Sequence, residues 1–297
     1  MTPGGSSEAD ARPARAPNAR RIDLHLHSTA SDGVLSPTEL VAAAESSGVD
    51  VIALTDHDSI GGIAEARSAG ATAGVRIVAG VELSAHDDER EVHVLGLHVE
   101  RLETLGVRLA DLAQARHERA REIVERLNAV GVRIEFEEVI ALAGACALGR
   151  PHVARTLVAH GWAHDHRDAF DRYLLPGRPG YVAKRRLPVR DATAILHEAG
   201  GLAVLAHPSA DDSLERLTAF ARDGLDGLEV VHPSLGAEDR LRLRAAADHL
   251  GLVKSGGSDW HGLKDAGRRI GVEDVPAAWL DAQEARVSVW RPHAQVA

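Results

Sequence analysis

The chain has 297 residues, 44% of them hydrophobic and 26% charged, and a formal net charge of −10, the profile of a soluble globular protein able to bury one sizeable core. No apolar run approaches the roughly 20 residues of a membrane helix, and the acidic balance excludes a protein that coats long nucleic acid. The single cysteine, Cys146, excludes an intrachain disulfide framework and fits a reducing cytoplasm. Set in the apolar stretch LAGACALGRPH, it reads as a small buried thiol rather than a nucleophile.

Residues 1–20, MTPGGSSEADARPARAPNAR, are rich in Pro, Ala, Gly and Arg, lack the apolar stretch of a secretory signal, and are predicted to be a disordered tail. From Arg21 onward, short apolar, β-branched runs alternate with helical patterns, which predicts βα units and a largely parallel sheet. Seven strands are expected: RIDLHLH, VDVIALT, VRIVAGVEL, EVHVLGLHV, GGLAVLAHP, LDGLEVVHP and LGLVKSGGS, a count close to that of a TIM-like barrel. After the first of them, SPTEL offers Ser36 as N-cap, Pro37 at the first helical position and Glu39 to complete a capping box, with Gly48 ending the helix.

Between 101 and 185 the strand signal vanishes. Some thirty residues beginning LETLGVRLADLAQARHERAR have helical apolar spacing, and RPHVARTLVAHG opens another helix with Pro151 in its first turn. The expected organisation is a barrel built from 21–100 and 186–290, carrying a helical insertion over 101–185 that caps the site. Residues 150–190 hold nine Lys or Arg against three acids; this cationic stretch on an acidic body suggests either a specific anionic ligand or a solvated helical face.

Ionisable residues gather where strands end. His25 and His27 close the first strand, Asp56, His57 and Asp58 follow the second, Glu82 closes the third, and His93 is in the fourth. His207 ends the fifth, His232 the sixth, and Asp259 and His261 follow the seventh. The carboxyl ends of parallel barrel strands meet at one face, so these residues are expected to be neighbours. On the first strand, Asp23, His25 and His27 share one face and Ile22, Leu24 and Leu26 the other, which spaces two imidazoles to grip one ion. Crowded carboxylates repel and buried ones need partners, a difficulty that divalent metal removes. Imidazole nitrogen and carboxylate oxygen without thiolate suit Zn, Mn or Fe(II).

In this order, HLHSTASDG, TDHD, GVELS, HVLG, AHP and SDWHG resemble the motifs of the PHP (polymerase and histidinol phosphatase) metal-dependent phosphoesterases, over about Arg21 to Gly262. The stretches GRPHVARTLV and PGYVAKRRLP are most similar to the branch containing 3′,5′-nucleoside bisphosphate phosphatases and a related 5′-to-3′ exonuclease on short RNA. The resemblance implies a distorted (β/α)7 barrel and three metal ions. One would be held by His25, His27, Glu82 and Asp259, a second by Glu82, His93 and His207, and a third by Asp32, His57 and His261. It implies hydrolysis of a phosphate monoester by metal-activated water, with no covalent phosphoenzyme.

His232 is then a candidate acid for the leaving group, and Asp56 and Asp58 are candidates for orienting imidazoles. His152, Arg155, Arg178 and Lys184 are candidates for gripping a second phosphate. The expected partner is a small phosphorylated nucleotide or short oligonucleotide, met in the cytoplasm, with no membrane and no long duplex involved. Two alternatives stand beside it: a histidinol-phosphate phosphatase, and a non-catalytic nucleotide or metal sensor.

Overall fold

Strand β1 (Ile22–Leu26) pairs in parallel with β2 (Val51–Leu54), and β2 with β3 (Arg76–Ala79), to give a three-stranded sheet. The computed structural model describes residues 20–290 apart from 88–89, 145–146, 185, 210 and 263–267; the expected N-terminal tail, up to residue 19, and Cys146 lie outside the described residues. Helices α1 (Pro37–Ser46) and α2 (Ile63–Ala73) are the crossovers of this sheet. The first starts with the capping box read from the sequence: Ser36 Oγ accepts from the Glu39 backbone, and the Glu39 carboxylate accepts from the Ser36 N–H.

One residue after β3 the chain begins β4 (Val81–Asp87), which belongs to a different sheet. Gly80 makes the change possible, because a Cβ there would stand 2.8 Å from both Gly96 O and Thr55 Cγ2. Strand β4 pairs antiparallel with β5 (Arg90–Leu97), and β5 antiparallel with β6 (Leu202–Leu205); β7 (Gly227–Val231) and β8 (Val253–Gly256) follow in parallel. The run VRIVAGVEL, read as one strand, is thus two, and among the described residues eight strands replace the expected seven.

The fold is mixed α/β, and no closed seven-stranded barrel is found among the described residues. The two sheets meet through isolated bridges, Leu26 with Trp260 and His57 with Glu82. Two features make the strand arrangement irregular. The β4–β5 hairpin interrupts the parallel order, and β1 and β7 slip register between Asp23 and Leu26 and between Glu229 and Val231, where the backbone turns to deliver polar side chains.

Helices α3 (Leu102–Ala129), α4 (Phe136–Ala143), α5 (Arg150–Ala159) and α6 (His166–Ala169), with a π turn at Phe170–Leu174, fill the stretch without strands. At 1.5 Å per residue α3 is about 40 Å long. Its first half packs Leu105 and Leu109 into the core of the five-stranded sheet, while its second half packs Ile123, Val124 and Leu127 against Val139, Val153, Leu157 and Leu174 in a separate core. One rigid helix therefore ties this helical layer to the sheets. Helices α7 (Val189–Glu198), α8 (Leu214–Arg222), α9 (Ala237–Leu250) and α10 (Ala277–Trp290) follow. Among the described residues no helix is long and apolar enough to cross a membrane.

Leu127 is fully buried in the separate core, so Leu127→Ala is expected to lower the free energy of unfolding by about 2–5 kcal/mol, measured by urea denaturation of the metal-free protein.

Candidate metal centre

His25 and His27 are fully buried at the end of β1. The segment after β8 is laced to them: the Asp259 N–H donates to His25 O at 2.9 Å and the His27 N–H to Trp260 O at 3.2 Å. Buried Asp23, on the same strand, accepts from the backbone N–H groups of Ser258 (2.9 Å) and Gly271 (2.8 Å). The approach is so close that a Cβ on Gly257 would lie 2.4 Å from His25 Cβ. Asp259 and His207 take positive φ of 49° and 30°, a costly conformation for residues with a side chain, held only where the surroundings determine it.

Glu82, at the start of β4, has no solvent exposure and lies among five imidazoles. Its Oε2 is 3.1 Å from Nε2 of both His25 and His27 and 3.3 Å from His57 Nδ1. Its Oε1 is 2.9 Å from His93 Nδ1 and 3.1 Å from His207 Nε2. Burial alone would raise its pKa, but the charge of His25 and hydrogen bonds from His207, His25 and His27 hold it well below the usual carboxylate range. Burial likewise opposes ionisation of His93, yet Glu82 and Glu91 push that imidazole up to about 10. The carboxylates demand positive charge here, as protons or as metal.

Among the described residues three sets of donor atoms lie mutually within 4.8 Å: those of His25, His27, Glu82 and Asp259; of His57, Glu82 and His93; and of His27, Asp32, His57 and His261. The first is the set the resemblance implied for one ion. In the second His57 joins Glu82 and His93, while His207 approaches from the Oε1 side of the same carboxylate. The third is the expected trio with His27 added. All nine residues singled out from the sequence come together. Fully buried His27 turns Nε2 toward both Glu82 Oε2 (3.1 Å) and Asp259 Oδ1 (3.3 Å), a crowding of two carboxylates on one imidazole nitrogen that a shared cation relieves. The donor set, nitrogen and oxygen without sulfur, fits divalent Zn, Mn or Fe.

Residues 23–175 match the family model described as the PHP domain. The chain belongs to the PHP domain family. This PHP chain is 39% identical over 263 residues to a 3′,5′-nucleoside bisphosphate phosphatase of Chromobacterium violaceum, covering 86% of the chain and 92% of that protein. It is 36% identical over 283 residues to a 5′-3′ exoribonuclease of Haemophilus influenzae, covering 91% of the chain and 98% of the relative. Among solved structures, a proposed metal-dependent phosphoesterase from Bifidobacterium adolescentis superposes with a TM-score of 0.70 at 32% identity, over 91% of this chain and 98% of that one.

The other candidates in this PHP chain have the following surroundings. His232 is buried, with Nδ1 held by the Ser234 hydroxyl (2.7 Å) and N–H (3.1 Å) and Nε2 3.4 Å from Asp259 Oδ2. It braces Asp259 and points neither ring nitrogen at solvent. Asp56 accepts from Ser28 and Ser31 and fixes the turn before Asp32. Asp58 accepts from Ser84 N–H and from Arg116 Nη1 at 3.0 Å. Among the described residues the donors to these two aspartates are serine and arginine groups rather than imidazoles. His152 is buried and its Nδ1 accepts from Gly149 N–H, Arg155 and Arg178 are exposed, and Lys184 Nζ is 2.6 Å from Glu91 Oε2.

Glu229, which the sequence reading passed over, is fully buried on β7. Its Oε1 is 3.1 Å from His25 Nδ1 and its Oε2 accepts from the His207 N–H at 2.6 Å. The signal was present: a lone acid inside the apolar strand LEVV needs a partner. Carboxylates behind metal-binding imidazoles fix the ring and strengthen it as a donor. Glu229→Gln is therefore expected to weaken Mn²⁺ binding by about 10-fold or more, read by titrating chelator-stripped protein whose circular dichroism matches the parent.

Proposed function

We propose that this metal-dependent phosphoesterase removes a phosphate monoester from a nucleotide, foremost the 3′-phosphate of a nucleoside 3′,5′-bisphosphate. The observation that carries this reading is a cationic cleft beside the metal centre. The cleft has a volume of about 370 Å³, within the range of small-ligand sites, and lies between α3, the segment leading into α7, and α7 itself. Arg108, Arg116, Arg119, Lys184 and Arg186 line it against three acids. Ser84 lines both this cleft and the mouth above Asp32, His57 and His93, so the two adjoin.

A substrate with one phosphate at the metals can place a second among these guanidinium groups, whose paired donors match phosphate oxygens. Arg116 and Arg119 are the residues we assign to that grip, held in place by Asp58 and by Val182 O; of the four sequence candidates, Lys184 is the one that lines the cleft. The helical layer over 101–185 then acts as the cap that carries the grip, around a centre that we read as three ions in a distorted barrel.

Divalent ions, when bound, supply the Lewis acidity that activates water near neutral pH and clamps phosphoryl oxygens. His25, His27, Glu82 and Asp259 would hold one, Glu82, His93 and His207 another, and Asp32, His57 and His261 the third. Asp56 orders the turn that presents Asp32, and Glu229 orients His25 and fixes the His207 backbone. A 5′-phosphorylated short RNA offers the same pair of neighbouring phosphates, and the length match with the exoribonuclease of Haemophilus influenzae supports it as a second substrate.

Phosphate release with added Mn²⁺ is expected to be fastest with adenosine 3′,5′-bisphosphate, slower with AMP and slowest with histidinol phosphate; turnover of a 5′-phosphorylated dinucleotide, slower than that of the bisphosphate, is read by its mononucleotide product, because cleaving its phosphodiester frees no phosphate. A chelator or His57→Ala should abolish it. Preference for histidinol phosphate would overturn the assignment, and absence of turnover on all four would leave a sensor.

Arg119→Ala is expected to reduce kcat/KM for the bisphosphate by about 10- to 100-fold, the value of one hydrogen bond to a charged group, while leaving p-nitrophenyl phosphate within about twofold. Equal losses on both substrates would remove Arg119 from the second grip.

A further inference from the structure

Asp259 uses its two carboxylate oxygens differently. Oδ1 faces the imidazoles, 3.4 Å from His25 Nε2, 3.3 Å from His27 Nε2 and 3.5 Å from His261 Nδ1. Oδ2 turns the other way, 3.4 Å from His232 Nε2 and 2.6 Å from Arg268 Nη1. The same Arg268 nitrogen also donates to the main-chain carbonyl of Asp259 at 2.8 Å. One guanidinium nitrogen thus ties side chain to backbone in a residue whose φ is +49°.

Both constraints matter. A free carboxylate rotates about its Cβ–Cγ bond and exchanges its oxygens, so pinning Oδ2 decides that Oδ1 is the atom turned toward the histidines. The left-handed backbone costs about 1–3 kcal/mol and persists only where neighbours hold it. Arginine is suited to both tasks because its charge does not titrate and its planar donors are fixed in direction. His232 alone is a poorer brace, since its approach to Oδ2 is long and its Nδ1 is committed to Ser234.

We propose that Arg268 is a positioning residue for the ion shared by His25, His27, Glu82 and Asp259, presenting Asp259 Oδ1 to that ion by holding Oδ2 and the carbonyl together. This rests on the reading that the cluster binds divalent metal. Arg268 is 30% exposed, so a rival assignment, direct contact with the substrate's phosphoryl group, is chemically open and separates cleanly from it.

The experiment compares parent, Arg268→Ala and Arg268→Lys after chelator stripping, by calorimetric titration with Mn²⁺ and by the KM of p-nitrophenyl phosphate at saturating Mn²⁺. For Arg268→Ala the expected result is one Mn²⁺ step weakened by about 10-fold or more, with the remaining steps and the KM unchanged. Arg268→Lys, which keeps the charge but not the rigid fork, should fall between. A Mn²⁺ isotherm identical to the parent's overturns the proposal, and if KM rises at the same time Arg268 contacts substrate instead. Should Arg268→Ala fail to fold, Arg268→Lys decides: an unchanged isotherm overturns the proposal. A parent protein that takes up no divalent ion defeats the metal reading itself, which is a distinct outcome.

Discussion

A carboxylate without solvent access, placed among five imidazoles, is the constraint to which the rest of this molecule answers. Glu82 cannot be buried as an isolated anion, because the cost of removing a charge from water far exceeds what a domain has to spare. It is stabilised only by surrounding positive charge or metal. Each imidazole that supplies it must in turn be aimed, and the aiming groups reach outward through Glu229 behind His25, Ser234 behind His232, and Arg268 and His232 behind Asp259. Removal of any outer partner strands a buried polar group nearer the centre.

The sheets are arranged to meet this demand. Donors of different strands converge only where sheet edges come together, and the isolated bridges fall there, beside Leu26, Trp260, His57 and Glu82. Regular pairing stops short so that backbone N–H and carbonyl groups of one strand end can bind those of the next, as between His25 and Asp259 and between His27 and Trp260. The positive φ angles at Asp58, His207 and Asp259 are concentrated in the same region. The apolar cores on either side supply the rigidity that holds this strain in place.

The cationic cleft adjoins the centre through Ser84. It is made largely from α3 and α7, outside the metal cluster, and Arg108, Arg116 and Arg119 are held by Glu198, Asp58 and a backbone carbonyl. That arrangement keeps long side chains ordered before any ligand arrives, which reduces the entropy that binding must overcome. The link from Asp58 to Arg116 joins the loop after β2 directly to α3, so the two places where a bisphosphate would be held have a fixed separation.

The sequence by itself determined the family motifs, the alternation of strands and helices, the capped first helix, and the donor types that close successive strands. These are local patterns, set by side-chain period and by turn chemistry within a few residues. It did not determine that VRIVAGVEL divides between two sheets, since the residue Gly80 does not by itself reveal what its backbone approaches. It also left hidden that Glu229 hydrogen-bonds His25, 204 positions away, that Arg116 and Arg119 of α3 join Lys184 and Arg186 of the basic stretch in one cleft, and that His232 lies against Ser234 and Asp259. Those outcomes depend on which groups meet across the packed molecule, and only the tertiary structure decided them, because a buried polar atom takes its role from its neighbours in space and not from its neighbours in the chain.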